Sequence, residues 1–178
     1  MIVLETNRLI LRTWKDSDLE LFAKMNSDKK VMEYFPKPLT KQETYEFVEK
    51  IKQHQTEHGF SLYAIEKKDT NEFIGFTGLF VPSFNAHFTP AIEIGWRIDS
   101  KHWGQGFAPE AAKKVIEYAF SELNLKEIVS FTSKINLNSI KVMQKIGMTN
   151  NPKDNFMHPM LDNSHPLCGH VLYKIYDK

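Results

Sequence analysis

A glycine-containing segment is the clearest candidate for chemistry in this sequence. It reads Trp103-Gly104-Gln105-Gly106-Phe107-Ala108 and lies between a predicted strand and a predicted helix. Glycines let backbone N–H groups approach a ligand closely, and the first turn of a helix adds unpaired N–H donors and a partial positive charge. The junction can therefore bind a phosphate group without a basic side chain. The alternative is a tight strand-to-helix connection with no ligand.

A second polar junction follows at Asn136-Leu137-Asn138-Ser139, again between a predicted strand and a predicted helix. Asn136 or Asn138 could simply cap the helix. If the two preceding strands are neighbours, however, both helices begin at the same edge of the sheet, where ligands of open α/β sheets collect. We then expect one junction to hold a pyrophosphate and the other to contact a polar arm of the same ligand.

Two common phosphate-binding motifs do not match. The sequence has no Gly-x-x-x-x-Gly-Lys-Ser/Thr, and Gly104-x-Gly106 lacks the third glycine and the early βαβ position of a dinucleotide-binding fold. The sequence therefore argues against a P-loop kinase and a nucleotide-dependent dehydrogenase, and another phosphate-bearing ligand must be considered.

The elements that position these junctions alternate in type. In the first half, patterning predicts a strand over residues 8–13, a helix opened by a capping box at 17–20, a helix from Thr40 to Gly59, and a hairpin of strands 61–66 and 72–80. In the second half it predicts a strand over 91–98, a helix after Phe107, a strand over 127–133, a helix ending at Gly147, and a strand over 170–176. This order indicates a mixed sheet of the α/β or α+β class, in a single domain over residues 1–178.

Composition and charge narrow the functional classes. The 178 residues carry 23 Lys plus Arg and 22 Asp plus Glu, a formal net charge of +1, so no broad positive field favours nucleic acid or an anionic membrane. The single Cys168 cannot form an internal disulfide, and His158, His165, Cys168 and His170 match no standard metal-ligand spacing. We expect a cytoplasmic protein without a metal site, acting as a monomer or a homodimer.

The ordered set of motifs resembles the GNAT superfamily of N-acetyltransferases. The resemblance is carried by Glu93-Ile94-Gly95-Trp96-Arg97-Ile98, by the glycine segment with Pro109-Glu110-Ala111, and by the Asn136 cluster followed by Lys145-Ile146-Gly147-Met148. The opening Leu4-Glu5-Thr6-Asn7-Arg8-Leu9-Ile10-Leu11-Arg12 and the ending His170-Val171-Leu172-Tyr173 resemble the branch of ribosomal-protein N-terminal serine and alanine acetyltransferases. The similarity covers nearly the whole chain.

The resemblance implies acetyl transfer from acetyl-coenzyme A to a primary amine, in a mostly antiparallel sheet with a V-shaped split and helices on both faces. By position, the backbone of Trp103, Gly104, Gln105, Gly106, Phe107 and Ala108 would hold the pyrophosphate. Trp96, Arg97 and Ile98 would pair with the pantetheine arm, which Asn136 and Ser139 would also contact. Trp103 replaces the Gln or Arg usual at the start of this loop, a change that backbone contacts should tolerate.

The chemistry is assigned to two side chains. Glu93 is the candidate base that takes a proton from the attacking amine, because it lies on the strand leading into the glycine segment, opposite the Ile92/Ile94 side. The alternative for Glu93 is a solvated edge charge or an ion pair with Arg97. Ser139 is the candidate hydroxyl that assists departure of the thiolate. A bulge at Gly95 is expected to free a backbone N–H near Ile94 or Gly95 for the thioester oxygen.

One departure from the family bears on turnover. Many members have a tyrosine seven residues beyond the asparagine, where this chain has Met143, whose thioether cannot protonate a thiolate. Direct transfer in a ternary complex to a protein N-terminal α-amine is the expected function. Acetylation of a polyamine or an antibiotic, and a non-catalytic acyl-CoA-binding module, remain alternatives. Glu33, Glu43 and Asp162 are candidate acidic residues of an acceptor wall.

Overall fold

The computed structural model describes residues 1–177, in which nine strands form one sheet. They are β1 (Ile2–Glu5), β2 (Leu9–Arg12), β3 (Leu62–Lys67), β4 (Phe73–Phe80), β5 (Glu93–Ile98), β6 (Glu127–Ser133), β7 (Thr149–Asn150), β8 (Phe156–Met157) and β9 (Gly169–Tyr176). Their order is β1-β2-β3-β4-β5-β6-β9-β7, with β8 paired to β9. Every pair is antiparallel except β5–β6, which is parallel. The mixed, mostly antiparallel sheet is therefore confirmed.

Four α-helices cover the two faces of the sheet. They are α1 (Asp16–Ser27), α2 (Lys41–His58), α3 (Phe107–Ser121) and α4 (Leu137–Lys145). Short 3-10 turns lie at Ser100–His102 and Pro152–Asp154. Across residues 1–177, none of these helices combines the length and apolar character that a membrane span requires.

The two faces have separate hydrophobic clusters. On one face, the apolar stripe of α3 packs with buried residues of the central strands: Ala111, Ala112, Val115, Ile116 and Ala119 with Leu11, Ile65, Ile74 and Ile94. On the other face, α1 and α2 supply Phe22, Met25, Val48 and Ile51, which cluster with Leu62, Ala64, Phe73 and Phe76. Neighbours in β3 such as Ala64 and Ile65 thus lie on opposite faces, as the pleat requires. Both faces of β5 are therefore covered, and side chains of β5 meet different helices.

The observed ends of α2 agree with the sequence prediction, whereas the observed start of α1 does not. Thr40 Oγ1 accepts the N–H of Glu43 at 3.2 Å, Glu43 Oε2 accepts the N–H of Thr40 at 2.8 Å, and Gly59 ends α2 with φ +79°. The predicted box at 17–20 is wrong, because α1 begins at Asp16. Asp18 accepts the N–H of Lys15 at 2.8 Å and also binds the buried Arg12 at 2.6 Å. The carboxylate that binds the first free N–H of α1 is therefore also part of a buried ion pair.

Candidate active site

A cavity of about 810 Å³ opens where β5 and β6 separate. Most of its lining comes from the segment after α1, strand β5, the start of α3, the end of β6 with the start of α4, and the segment between β8 and β9. Single residues of α2, β3 and β9 and two residues of β4 complete it. The starts of α3 and α4 lie in the same cavity, as the two polar junctions of the sequence predict. The central strands therefore bring together the two predicted ligand-binding segments.

The split in the sheet begins directly after one residue pair. Strands β5 and β6 pair at Glu93 and Val129, and the N–H of Val129 donates to Ile92 O at 2.9 Å. Because backbone groups alternate along a strand, the N–H groups of Trp96 and Ile98 also point to the β6 side, where β6 has already turned away. The side of β5 facing the split can therefore pair with an extended ligand arm.

The expected bulge at Gly95 is not present. The register between β4 and β5 is unbroken from Gly75↔Ile98 to Phe80↔Glu93, and Gly95 pairs with Gly78. The same alternation directs the Gly95 N–H towards β4 and that of Ile94 towards β6. Divergence of two parallel strands, rather than an extra residue, is what opens the sheet here.

The glycine segment has the shape of a backbone cradle. Gly104 and Gly106 have φ of +78° and +81°, and α3 begins at Phe107 with Gly106 as a cap that offers no side chain. A Cβ built on Gly104 would meet no atom within 4 Å, so the space beside the loop is open. The N–H groups of the first turn of α3 face this space with the positive end of the helix dipole. Phe107 and Ala108 line the cavity beside them.

The other residues of this segment have two different positions. Trp103 lines the cavity, and its indole Nε1 donates to Ile98 O at 2.8 Å, which ties the loop to the end of β5. Gln105 is exposed and does not line the cavity. Its side chain donates to Lys101 O at 3.3 Å, and its own carbonyl accepts from Arg8 Nη1 at 3.0 Å. The side chain of Gln105 therefore has no place at the predicted pyrophosphate site.

The second junction combines helix capping with a place in the cavity. Asn136 Oδ1 accepts the N–H of Ser139 at 3.1 Å, and Asn136 Nδ2 donates to Thr132 Oγ1 at 3.0 Å. Both ends of the Asn136 amide are thus occupied. The bond to Ser139 confirms Asn136 as the residue that caps α4. Ser139 is half-buried and lines the cavity, with Lys141 and Lys145 further along α4. The two lysines were not predicted, although their i,i+4 spacing places them on one face of α4.

Glu93 is a desolvated carboxyl group facing the cavity. It is half-buried, and burial alone raises its pKa to about 8. Within the described residues it has no ion pair with Arg97 or any other side chain, so the alternative of an ion pair between Glu93 and Arg97 is wrong. Oε1 lies 3.9 Å from the position that a Cβ on Gly95 would occupy, so the carboxyl group leans along the strand over Gly95. Its pKa is suited to exchanging a proton with an amine near neutral pH.

Arg97 has a different position from the one predicted. Its side chain lies on the α1–α2 face, where Nη1 donates to Asn26 Oδ1 at 2.7 Å and the guanidinium carbon lies 4.2 Å from the centre of the Phe35 ring. Its backbone N–H and C=O point to β4, because they alternate along the strand and Arg97 is two residues after Gly95. Arg97 therefore does not pair with an arm lying in the split, and Trp96 and Ile98 are the residues of β5 that face it.

Tertiary packing decides whether the other residues singled out in the sequence reach the cavity. Met143 is 1% exposed in the hydrophobic cluster under α3, so it contributes packing and no chemistry to the cavity. The prediction of an acidic acceptor wall is wrong, because the cavity lining does not include Glu33, Glu43 or Asp162. His158 and His170 do line the cavity, with ring centres 4.9 Å apart, and burial lowers the pKa of both.

Comparison with known proteins places this geometry in a family. The family model described as acetyltransferase (GNAT) domain matches residues 8–149. The Bacillus subtilis uncharacterized protein YkkB is 36% identical over 146 residues, which are 82% of this chain and 84% of that protein. The uncharacterized N-acetyltransferase YnaD of the same organism is 33% identical over 144 residues, 80% of each chain.

Solved structures agree with this assignment. A GNAT-family acetyltransferase from Bacillus anthracis superposes with a TM-score of 0.80 at 26% identity, over 99% of this chain and 98% of that one. A ribosomal L7/L12 alpha-N-protein acetyltransferase, solved in complex with coenzyme A, shares the fold with a TM-score of 0.78 at 17% identity, over 99% and 98% of the two chains. The split sheet, the glycine cradle and these matches lead to one conclusion: the chain belongs to the GNAT family of acetyl-CoA-dependent N-acetyltransferases.

Proposed function

We propose that this N-acetyltransferase transfers the acetyl group to an α-amine, such as a protein N-terminus, by direct attack in a ternary complex. The observation that carries this proposal is the single acidic side chain among the described cavity residues, Glu93, whose pKa is about 8. An α-amino group has an ordinary pKa of about 7.7–8.0, so the two groups are matched for proton transfer.

The donor is placed by backbone groups. The N–H groups of Gly104, Gly106 and Phe107 would bind the pyrophosphate, and the free edge of β5 at Trp96 and Ile98 would pair with the pantetheine arm. Ser139, Lys141 and Lys145 on α4 border the opposite side of the same cavity. This arrangement directs the thioester along the split towards Glu93, where β5 and β6 meet.

The transfer then needs one proton acceptor and one leaving thiolate. The neutral amine attacks the thioester carbonyl, a C–N bond forms, the C–S bond breaks, and Glu93 takes the proton that the amine nitrogen loses. The coenzyme leaves as a thiolate, which takes a proton from water or from the Ser139 hydroxyl. Because Met143 is buried away from the cavity, the position where many members have a tyrosine supplies no acid.

The alternatives are a small-molecule acceptor and a module that binds acyl-CoA without turnover. A polyamine carries several positive charges and needs several carboxylates, whereas among the described residues of the cavity wall only Glu93 is acidic. The charge of the cavity therefore favours an acceptor with one amine over a polyamine.

The test is release of free thiol from acetyl-CoA in the presence of short peptides with free N-termini, the same peptides with blocked N-termini, spermidine, and simple alkylamines. We expect release with free peptide N-termini and none with blocked ones. Turnover with alkylamines or spermidine alone would reject the α-amine proposal. Saturable coenzyme binding without thiol release for any amine would identify a binding module.

A further inference from the structure

Arg97 is a buried cation without an anionic partner in the described chain. It is 9% exposed, and its one hydrogen bond to a side chain goes from Nη1 to the neutral amide of Asn26 at 2.7 Å. Its Nε is buried and has no hydrogen-bond partner among residues 1–177. A guanidinium group stripped of water normally has a carboxylate beside it. Arg97 therefore holds unused positive charge and an unused donor.

Aromatic rings hold this guanidinium in place. Its central carbon lies 4.2 Å from the centre of the Phe35 ring and 5.4 Å from that of Phe76, with Phe47 and Phe22 at 5.9 and 6.0 Å. Contact with ring faces is favourable for a cation but leaves the N–H groups in its plane unsatisfied. With Nη1 bound to Asn26, the edge formed by Nε and Nη2 remains, which is the edge that binds a carboxylate with two parallel hydrogen bonds.

The charge of Arg97 lies at the part of the cavity formed by the segment after α1, which is the part left for the acceptor when the starts of α3 and α4 hold the coenzyme. Arg97 lines the cavity together with Tyr34, Phe35 and Pro36 from the segment after α1. It lies four residues after Glu93 on β5, so both side chains leave the same face of the strand. Burial alone raises the pKa of Glu93 to about 8 and lowers that of Arg97 to about 10, so neither group compensates the other.

We propose that Arg97 binds a carboxylate of the acceptor, so that the substrate is an amine carrying a carboxylate several bonds away. This inference rests on the proposed acetyl transfer to an amine whose nitrogen is placed at Glu93. Gly95 lies between Glu93 and Arg97 on this face of β5, so the Glu93 side chain, which leans over Gly95, points towards Arg97. Two sources supply this chemistry. A peptide whose α-amine is followed by an acidic side chain agrees with the proposed α-amine acceptor, whereas a free amino acid with a distant amine keeps acetyl transfer but replaces the α-amine.

The experiment compares acceptors that differ in one charge. Thiol release from acetyl-CoA is measured with 6-aminohexanoate and its primary amide, and with the peptides Ser-Glu-Ala-Ala and Ser-Gln-Ala-Ala, both amidated at the C-terminus. Wild type is compared with Arg97→Gln, which keeps a hydrogen-bonding side chain but removes the charge. Lys126→Gln is the matched control, because it removes a positive charge from an 80% exposed side chain that precedes β6 and does not line the cavity.

Wild type should prefer the carboxylate member of one pair by at least about tenfold in kcat/KM, and Arg97→Gln should bring that ratio close to one. The pair that shows the preference identifies the source. Equal rates within both pairs for wild type, or a preference that survives in Arg97→Gln, would overturn the inference while leaving acetyl transfer intact. A raised KM for acetyl-CoA with an unchanged ratio would assign Arg97 to the coenzyme instead.

A second measurement covers the case in which Arg97→Gln does not fold. Hexanoate and hexanamide are tested as inhibitors of wild type against the preferred acceptor. Competitive inhibition by hexanoate at least about tenfold stronger than by hexanamide supports a carboxylate subsite, and equal inhibition opposes it. Absence of thiol release from every acceptor is a failure of the proposed function, since it occurs before any charge preference can be measured.

Discussion

Arg8 Nη1 donates a hydrogen bond to the backbone carbonyl of Gln105 at 3.0 Å, although 97 residues separate the two. The same guanidinium binds Glu110 in α3, with Nε 2.7 Å from Oε2, and lies 4.5 Å from the centre of the Phe107 ring. The segment between β1 and β2 therefore holds both the glycine loop and the start of the helix that follows it.

Replacing Arg8 should loosen the cradle without removing any group that touches the coenzyme. In Arg8→Gln we expect the Kd for coenzyme A, measured by titration calorimetry, to rise about tenfold, the equivalent of one charge-assisted hydrogen bond. Lys126→Gln is the control for the loss of one positive charge at a distance from the loop. Unchanged affinity in Arg8→Gln would show that the loop keeps its shape without this contact.

A side chain at Gly106 should distort the cradle. Its φ of +81° is unfavourable for a β-branched residue, and a Cβ there would lie 3.5 Å from Nη2 of Arg8, the side chain that holds the loop through Gln105 O. We expect Gly106→Val to weaken coenzyme binding at least about a hundredfold, since several backbone contacts are lost together. Gly59→Val is the control, because Gly59 has φ +79° at the end of α2, outside the cavity. If both variants bind coenzyme A like wild type, the pyrophosphate site lies elsewhere.

Removing the carboxyl group of Glu93 should slow transfer without affecting the coenzyme. We expect Glu93→Gln to lower kcat about 10²–10⁴-fold, the usual contribution of a general base, with the Kd for coenzyme A unchanged. The wild-type rate should rise with pH and level off above about 8, where Glu93 is ionised. In the variant only the titration of the acceptor amine should remain. Glu49→Gln, on the exposed side of α2, is the matched control, and equal rates in Glu93→Gln and wild type would remove Glu93 from the mechanism.

The pKa of Glu93 also predicts a pH dependence of stability. Because the folded state raises this pKa from 4.5 to about 8, it retains a proton that the unfolded chain has already released over this range. Stability from this group is therefore greatest below pH 4.5 and is lost as the pH rises towards 8. Relative to Glu93→Gln, the free energy of unfolding of wild type should fall between these pH values in denaturant titrations. Parallel curves for the two proteins would show that the carboxyl group is well solvated.

Gly75 allows β4 to approach β5 beside Arg97. A Cβ at Gly75 would lie 2.0 Å from Arg97 O and 2.9 Å from Ile98 Cα, and the residue has φ +139°. We expect Gly75→Ala to lower the free energy of unfolding by about 1–3 kcal/mol or more, as overpacking does. Gly59→Ala, where no atom lies within 4 Å of the new Cβ, should cost only the strain of the left-handed backbone, about 1 kcal/mol. Equal losses measured by urea denaturation would contradict a steric role for Gly75.

Local patterns in the sequence were enough to predict much of the architecture. The helix after Phe107, the helix from Thr40 to Gly59 and the strand over 127–133 depend on spacing within a few residues, and the structure has them where the patterns place them. Strand β1 was not predicted, because its sequence Ile2-Val3-Leu4-Glu5 does not alternate between apolar and polar residues, and it is held as a strand by pairing with β2. The start of α1 was misplaced because the carboxylate of Asp18 accepts the N–H of Lys15, which lies before the predicted box at 17–20.

The amino-acid sequence by itself determined the glycine-containing junction before α3, a polar cap at Asn136 or Asn138, and the position of Glu93 on a strand, because backbone conformation and capping are decided by neighbours along the chain. Only the tertiary structure decided that β5 and β6 diverge without a bulge, that Met143 is buried in the core, and that Arg97 is buried among aromatic rings with the neutral Asn26 as its side-chain partner. These properties depend on which distant segments surround a residue, and the burial that changes a pKa or leaves a charge unpaired exists only once those segments have packed together.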